Sequence, residues 1–363
     1  MEVKTKMKKL ISLLLALVMV FALVACAAKE TPAANDAPAK SDASTETPAE
    51  TPAESTDDKT AEDTASSGKS YRIGVFFKDS SSMFWRYVGQ GCSDKAKELG
   101  VEFVEYSPAS YTDSAGQMSM LEDAIASGID AICVAAIDST AIVDTLVKAE
   151  DAGIPVIVFN TLIPDFEATG KQRCFIGIDN VEASANVMEQ ILADHDYKAN
   201  VVILEGTPAT QMNADRAGTA TEVCNKYEGV TVVASQPCYA NRETAMTTME
   251  NILQSTTDID IVWALNDPSA LGAQQAIEAA GLTGIDIVSI DGTPDGIASI
   301  INGRCIKYTV DQAPFDMGAF TVQAAYDILE GKEVEPIIRC GGTCIGPDTA
   351  VAHMEKYYPD YEY

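Results

Sequence analysis

The sequence predicts an α/β fold made of two doubly wound, parallel-sheet lobes. Three observations carry that reading. Short apolar runs rich in Val and Ile alternate with helix-length segments from Tyr71 onward. The runs are near-continuously apolar, as strands buried on both faces must be. The alternation recurs before and after 174–180 and is too long for one open sheet, so it divides into two similar lobes.

Strands are expected at 71–77, 101–106, 131–135, 155–159, 174–178, 200–204, 230–235, 259–264, 286–290, 305–310 and 334–338. Helices are expected at 84–99, 116–127, 140–151, 183–193, 214–227, 242–254, 268–280 and 315–329. Gly100, Gly128, Gly153, Gly281 and Gly331 follow helix ends, where the left-handed conformation caps the last turn.

The first 69 residues read differently. Lys4, Lys6, Lys8 and Lys9 precede an apolar stretch from Leu10 to Val24, broken only by Ser12. That is a secretory signal over 1–25, too short to span a membrane comfortably. It ends in Leu23-Val24-Ala25-Cys26, which resembles a bacterial lipobox and implies Cys26 as the lipid attachment site. A plain signal peptide or an uncleaved anchor is the alternative. Residues 26–69 are almost purely Ala, Pro, Thr, Ser, Glu, Asp and Lys. Such a segment cannot bury a core, so it reads as a tether.

The whole chain has 363 residues, with 25 Lys plus Arg against 54 Asp plus Glu and a net charge of -29. A surface this acidic repels phosphate backbones and argues against nucleic acid as a partner. The two histidines, His195 and His353, lie far apart in sequence and argue against His-rich metal sites and His-based triads. Gly68-Lys69-Ser70 lacks the first glycine of a phosphate loop, and Gly89-Gln90-Gly91 lacks the third of a dinucleotide fingerprint. No motif marks a catalytic residue, a cofactor or a metal, and the chain is read as a non-enzyme. The spacing of Cys340 and Cys344 permits a small loop disulfide, though pairing among the eight cysteines beyond Cys26 cannot be read from sequence.

In open parallel sheets ligands gather beyond the carboxyl ends of strands. Those ends carry Lys78-Asp79-Ser80-Ser81-Ser82-Met83-Phe84-Trp85, Asn160-Thr161, Glu205-Gly206-Thr207 leading to Arg216, Asn266-Asp267, Asp291-Gly292-Thr293 and Asp311-Gln312. Asn and Gln donate and accept at once, while Asp and Arg engage adjacent hydroxyls in pairs. Phe84 or Trp85 can cover the apolar face of a sugar ring. The inventory suits a small neutral, sugar-like polyol and is poor for a phosphorylated one.

Asn266-Asp267 followed by Ala270-Leu271-Gly272-Ala273, then Ile290-Asp291-Gly292-Thr293-Pro294-Asp295-Gly296, closely resembles the ribose-binding type of periplasmic sugar-binding protein, over about residues 70–340. The lipobox and tether look like its lipoprotein form. The resemblance implies lobes built from 70–178 plus 313–339 and from 179–312 plus 340–363. They would be joined by a three-segment hinge near 177–179, 312–313 and 339–340. It implies delivery of the ligand by a monomeric receptor to an ABC permease, or presentation to a chemoreceptor or sensor kinase, from the outer face of the membrane. A secreted carbohydrate-active enzyme is the remaining alternative.

Carried over residue by residue, the implied ligand contacts are Ser82, Phe84, Trp85, Asn160, Arg216, Asn266, Asp291 and Gln312. Ser82 stands where the family often has Asn, and Asn160-Thr161 where ribose binders carry Asp-Arg, so the particular sugar stays open. Ala240 occupies the slot of a common stacking aromatic, with Tyr239 one step away. Each contact has a plainer reading: Asn266 or Asp291 as a helix cap, Arg216 as a solvated helix residue, the aromatics as core. Asp267 reads as a cap or hinge residue.

Overall fold

The computed structural model describes residues 70–363. The signal segment, Cys26 and the tether lie outside the described residues. Among those described, no helix is long and apolar enough to cross a membrane.

The strands are β1 (Arg72–Phe76), β2 (Glu102–Tyr106), β3 (Ala131–Val134), β4 (Val156–Phe159), β5 (Phe175–Gly177), β6 (Ala199–Glu205), β7 (Val230–Pro237), β8 (Ile261–Ala264), β9 (Asp286–Asp291), β10 (Ile306–Asp311), β11 (Ile337–Arg339) and β12 (Cys344–Ile345). The main helices are α1 (Met83–Leu99), α2 (Ser114–Ala126), α3 (Val143–Asp151), α4 (Asn180–Asp194), α5 (Arg242–Ser255), α6 (Asp267–Ala279), α7 (Pro294–Ile301), α8 (Pro314–Leu329) and α9 (Ala350–Tyr357).

Two six-stranded sheets result, in the orders β11-β5-β4-β3-β1-β2 and β12-β10-β9-β8-β6-β7. Within each lobe the same doubly wound order appears, with the second strand of the lobe outside the first. Pairing is parallel throughout except for β12, which runs antiparallel to β10. Both faces of each sheet are covered by buried apolar side chains, which is why the strands read as unbroken Val/Ile runs. The chain passes between the sheets at 178–179, 312–313 and 340–343.

Two expectations need correction. The strand expected at 334–338 is β11, Ile337–Arg339, because Pro336 cannot donate to a ladder. The helix expected at 214–227 starts earlier, at Gln211, ends at Cys224 and contains a π-helical turn, Ala214–Gly218. Periodicity alone cannot reveal such a one-residue insertion. Cys340 and Cys344 are free, as are the other six described cysteines.

Two glycines set a helix crossing. A Cβ on Gly91 of α1 would run into the Phe315 carbonyl of α8, and a Cβ on Gly318 of α8 into the Val88 carbonyl of α1. Gly91, unexplained by any nucleotide motif, therefore lets two backbones meet.

Candidate ligand-binding site

The carboxyl ends of both sheets face one cleft. A narrow cavity there is lined by Lys78, Phe84, Trp85, Tyr111, Asn160, Met212, Arg216, Asn266, Asp291 and Gln312. Seven of the eight sequence-chosen residues meet in it. Ser82 does not. It lines a wider space of about 730 Å³ at the cleft mouth, together with Ala240, Asn241 and Arg242. The reason is local: the Asp79 carboxylate accepts from the Ser81 amide at 2.6 Å and the Ser82 amide at 2.9 Å, folding the loop so that α1 begins with Ser82 at the rim.

Gln312, in the segment that crosses between lobes, is the hub. Its Nε2 donates to Asp291 Oδ1 at 2.6 Å. Its Oε1 accepts from Arg216 Nη2 at 2.8 Å and from Asn160 Nδ2 at 3.2 Å. Arg216 sits in the π turn, only 1% exposed, and also donates to Asn180 Oδ1 and the Leu265 carbonyl. The extra residue of the π turn re-aims this side chain into the cleft.

Asn266 is both a helix cap and a residue of the cavity lining. Its Oδ1 caps α6 by accepting from Ser269 N, while its Nδ2 donates to the Ala240 carbonyl and the residue lines the cavity. Asp291 caps nothing: the N-cap of α7 is Thr293. Asp267 is consumed internally, accepting from Ser289, Thr309 and twice from Thr293. Asn160 (φ 60°), Asp291 (φ 154°) and Ala313 (φ 47°) hold positive-φ backbone at or beside the cavity, where strain tends to accumulate when a site demands it.

Phe84 and Trp85 form one wall, their rings edge-to-face at 4.9 Å, with Trp85 Nε1 donating to Tyr111 Oη at 2.7 Å. Both also belong to the core of the first lobe. Tyr239, by contrast, is 39% exposed and outside the cavity lining. The lobes touch through Ser139 N to the Ala209 carbonyl and Gln211 N to Ser139 Oγ.

Sequence reasoning missed Lys78, Tyr111 and Met212. Lys78 follows a strand, but that it is 1% exposed and meets both Thr161 and Met212 is visible only in the tertiary structure. Tyr111 lies in the loop after β2, a strand end not inspected. Met212 owes its place to the unexpected early helix start.

Burial raises the Asp291 carboxyl well above the usual range, with Asp267 adding to it and Arg216 opposing. Burial lowers Arg216 to about 10 and Lys78 to about 7, the neighbouring Arg216 contributing to the latter. Among the described residues no cluster of three or more His, Cys, Asp or Glu is arranged to hold a metal. The constellation can hydrogen-bond several oxygens of one small molecule and stack against its face; no nucleophile–base pair marks it.

A ribose import binding protein of Bacillus subtilis is 31% identical over 270 residues, covering 74% of this chain and 85% of that one. A xylitol-binding protein of Mycolicibacterium smegmatis is 30% identical, covering 76% of this chain and 77% of its own. Among solved structures, an ABC transporter solute binding protein from Bacillus halodurans with bound myo-inositol superposes with a TM-score of 0.72 at 29% identity, over 81% of this chain and 100% of its own. The family model described as a periplasmic binding protein domain matches residues 73–333. Because that match takes in ten of the twelve strands and every residue of the cavity lining, the chain belongs to the periplasmic binding protein family.

Proposed function

We propose that this chain is an extracytoplasmic receptor that holds a small sugar or sugar-like polyol between its lobes and delivers it to an ABC importer. The observation that carries the reading is the convergence of Phe84, Trp85, Asn160, Arg216, Asn266, Asp291 and Gln312, drawn from both lobes and a crossing segment, on one cavity. The relatives and solved structures named above agree with it.

The mechanism is capture by hinge closure, with no bond broken. Ligand hydroxyls replace water and complete the hydrogen bonds of Asn266, Asp291 and Gln312, while Phe84 and Trp85 cover the apolar ring face. Because residues of both lobes share one ligand, binding favours the closed form, which a permease recognises. Anchoring by a lipid on Cys26, with 26–69 as tether, would keep the receptor beside that permease. Loss of fatty-acid labelling in Cys26→Ser tests this point.

Thermal-shift screening of the folded protein against monosaccharides and polyols tests the main reading. A ligand binding only the native state raises Tm with concentration. Absence of any response across such a panel sinks it. Recovery of intact ligand from the complex separates a receptor from an enzyme.

A further inference from the structure

The cavity holds two buried cations and one carboxylate. Lys78 and Arg216 are each 1% exposed, and Asp291 is the sole acid in the lining. Neither cation has a carboxylate oxygen within 4 Å among the described residues. Lys78 Nζ reaches only Thr161 Oγ1 and, at 3.9 Å, the Met212 thioether. An ammonium has three donors, and a thioether is a weak acceptor, so at least one N–H of Lys78 has no good protein partner. Arg216 spends three of its five N–H groups on Asn180, Leu265 and Gln312, all neutral acceptors. Two other buried acids are engaged elsewhere: Asp267 is enclosed by Ser289, Thr293 and Thr309, and Asp79 accepts from Ser81 and Ser82.

Charging both bases with a single acid beside them is costly at such burial, so a counter-charge brought from outside the chain would be favoured there. Resting on the receptor reading above, we infer that the ligand itself brings the missing negative charge: a sugar carboxylate such as an aldonate or uronate, its carboxylate between Lys78 and Arg216 and its hydroxyls on Asn266, Asp291 and Gln312. This replaces the neutral, sugar-like ligand that the strand-end residues suggested with an anionic one of the same polyol class. The overall charge of -29 does not oppose it, because surface charge is screened within roughly 8–10 Å at physiological salt.

The same geometry makes a second, independent signature. The groups facing Lys78 are Arg216, which pushes its proton off, and Asp291, which holds it; Tyr111 lines the same cavity. With its affinity for protons lowered to about 7 by burial, Lys78 is largely neutral at pH 8 in the empty cavity. An anionic oxygen against Nζ favours the charged amine, so binding draws in a proton.

Calorimetry should compare gluconate, glucuronate and galacturonate with glucose, galactose, ribose and myo-inositol, at pH 8 in two buffers of different ionisation enthalpy. The expected result is at least tenfold tighter binding of one acid than of its neutral counterpart, with proton uptake. In Lys78→Gln the acid-to-neutral ratio should fall towards one. Asn160→Asp, which restores an acid to the cavity without touching Lys78, should lower the ratio as well and serves if Lys78→Gln does not fold. Neutral sugars binding as tightly as their acids, or more so, would overturn the inference and leave the receptor reading standing. Silence of the folded protein towards both series would overturn the receptor reading, and this inference with it.

Discussion

Gln312 holds Asp291 by a 2.6 Å hydrogen bond from Nε2 to Oδ1, across the point where the chain leaves β10 for the other lobe. The bond links a buried carboxylate to a crossing segment whose next residue, Ala313, is in the left-handed conformation (φ 47°). On the proposed reading, ligand contact and hinge geometry would share one amide side chain, and a ligand hydroxyl that engages Asp291 would also act on the position of Gln312.

Asp291→Asn should weaken ligand binding by about 1–3 kcal/mol, the cost of a buried hydrogen-bonding group left poorly matched. The unliganded protein should also lose some Tm, because Asp291 is the only carboxylate that lines the cavity with Lys78 and Arg216. Calorimetric titration and unfolding scans of the same sample check both parts. Unchanged affinity would mean that Asp291 serves only the fold.

Asp267→Ala should act chiefly on the fold. It strips the acceptor from Ser289, Thr293 and Thr309, all buried. Destabilisation of about 2–4 kcal/mol is expected, since each orphaned buried donor costs about 1–3 kcal/mol and relaxation recovers part of it. Denaturant unfolding measures it, and the midpoint should fall without a change in slope.

Gly91→Ala and Gly318→Ala each push a methyl into a backbone carbonyl where α1 crosses α8. Overpacking of this kind costs typically 1–3 kcal/mol. Phe84 and Trp85 of α1 line the cavity, but Gly91 and Gly318 do not, so ligand affinity of the folded fraction should change little. Thermal scans with and without ligand separate the two effects.

Stability without ligand should rise with pH above about 7 through Lys78. Its amine binds protons less tightly in the folded chain than in the unfolded one. Between about 7 and the ordinary lysine range the unfolded state therefore carries more protons, and stability climbs with pH. Below about 7 both states are protonated and the penalty is complete. Asp291, raised by burial, contributes with the opposite sign, so the test is the difference between wild type and Lys78→Met. Parallel Tm-against-pH curves for the two would show that Lys78 does not titrate in that window.

Much of the site was legible because strand ends are local features. Asn160, Asn266 and Asp291 each stand at or directly after the last residue of an apolar run, and the run itself tells where the polar layer begins. Gln312 follows the same rule after β10. Ser82 does not, because its place depends on how Asp79 folds the loop before α1. Arg216 was found in its family position, yet its aim into the cleft comes from a π turn that no periodicity discloses.

By itself the sequence determined the alternation of strand and helix, the repeat of one winding order in two lobes, and the polar layer that lines the cavity. These follow from the apolar pattern within each short segment. Only the tertiary structure decided the charge of the cavity and the meaning of Gly91 and Gly318. Lys78, Arg216 and Asp291 come from different elements, and whether their charges balance depends on which side chains the closing lobes seal from water. In the same way, a glycine where two helices touch cannot be told from any other until the helices cross.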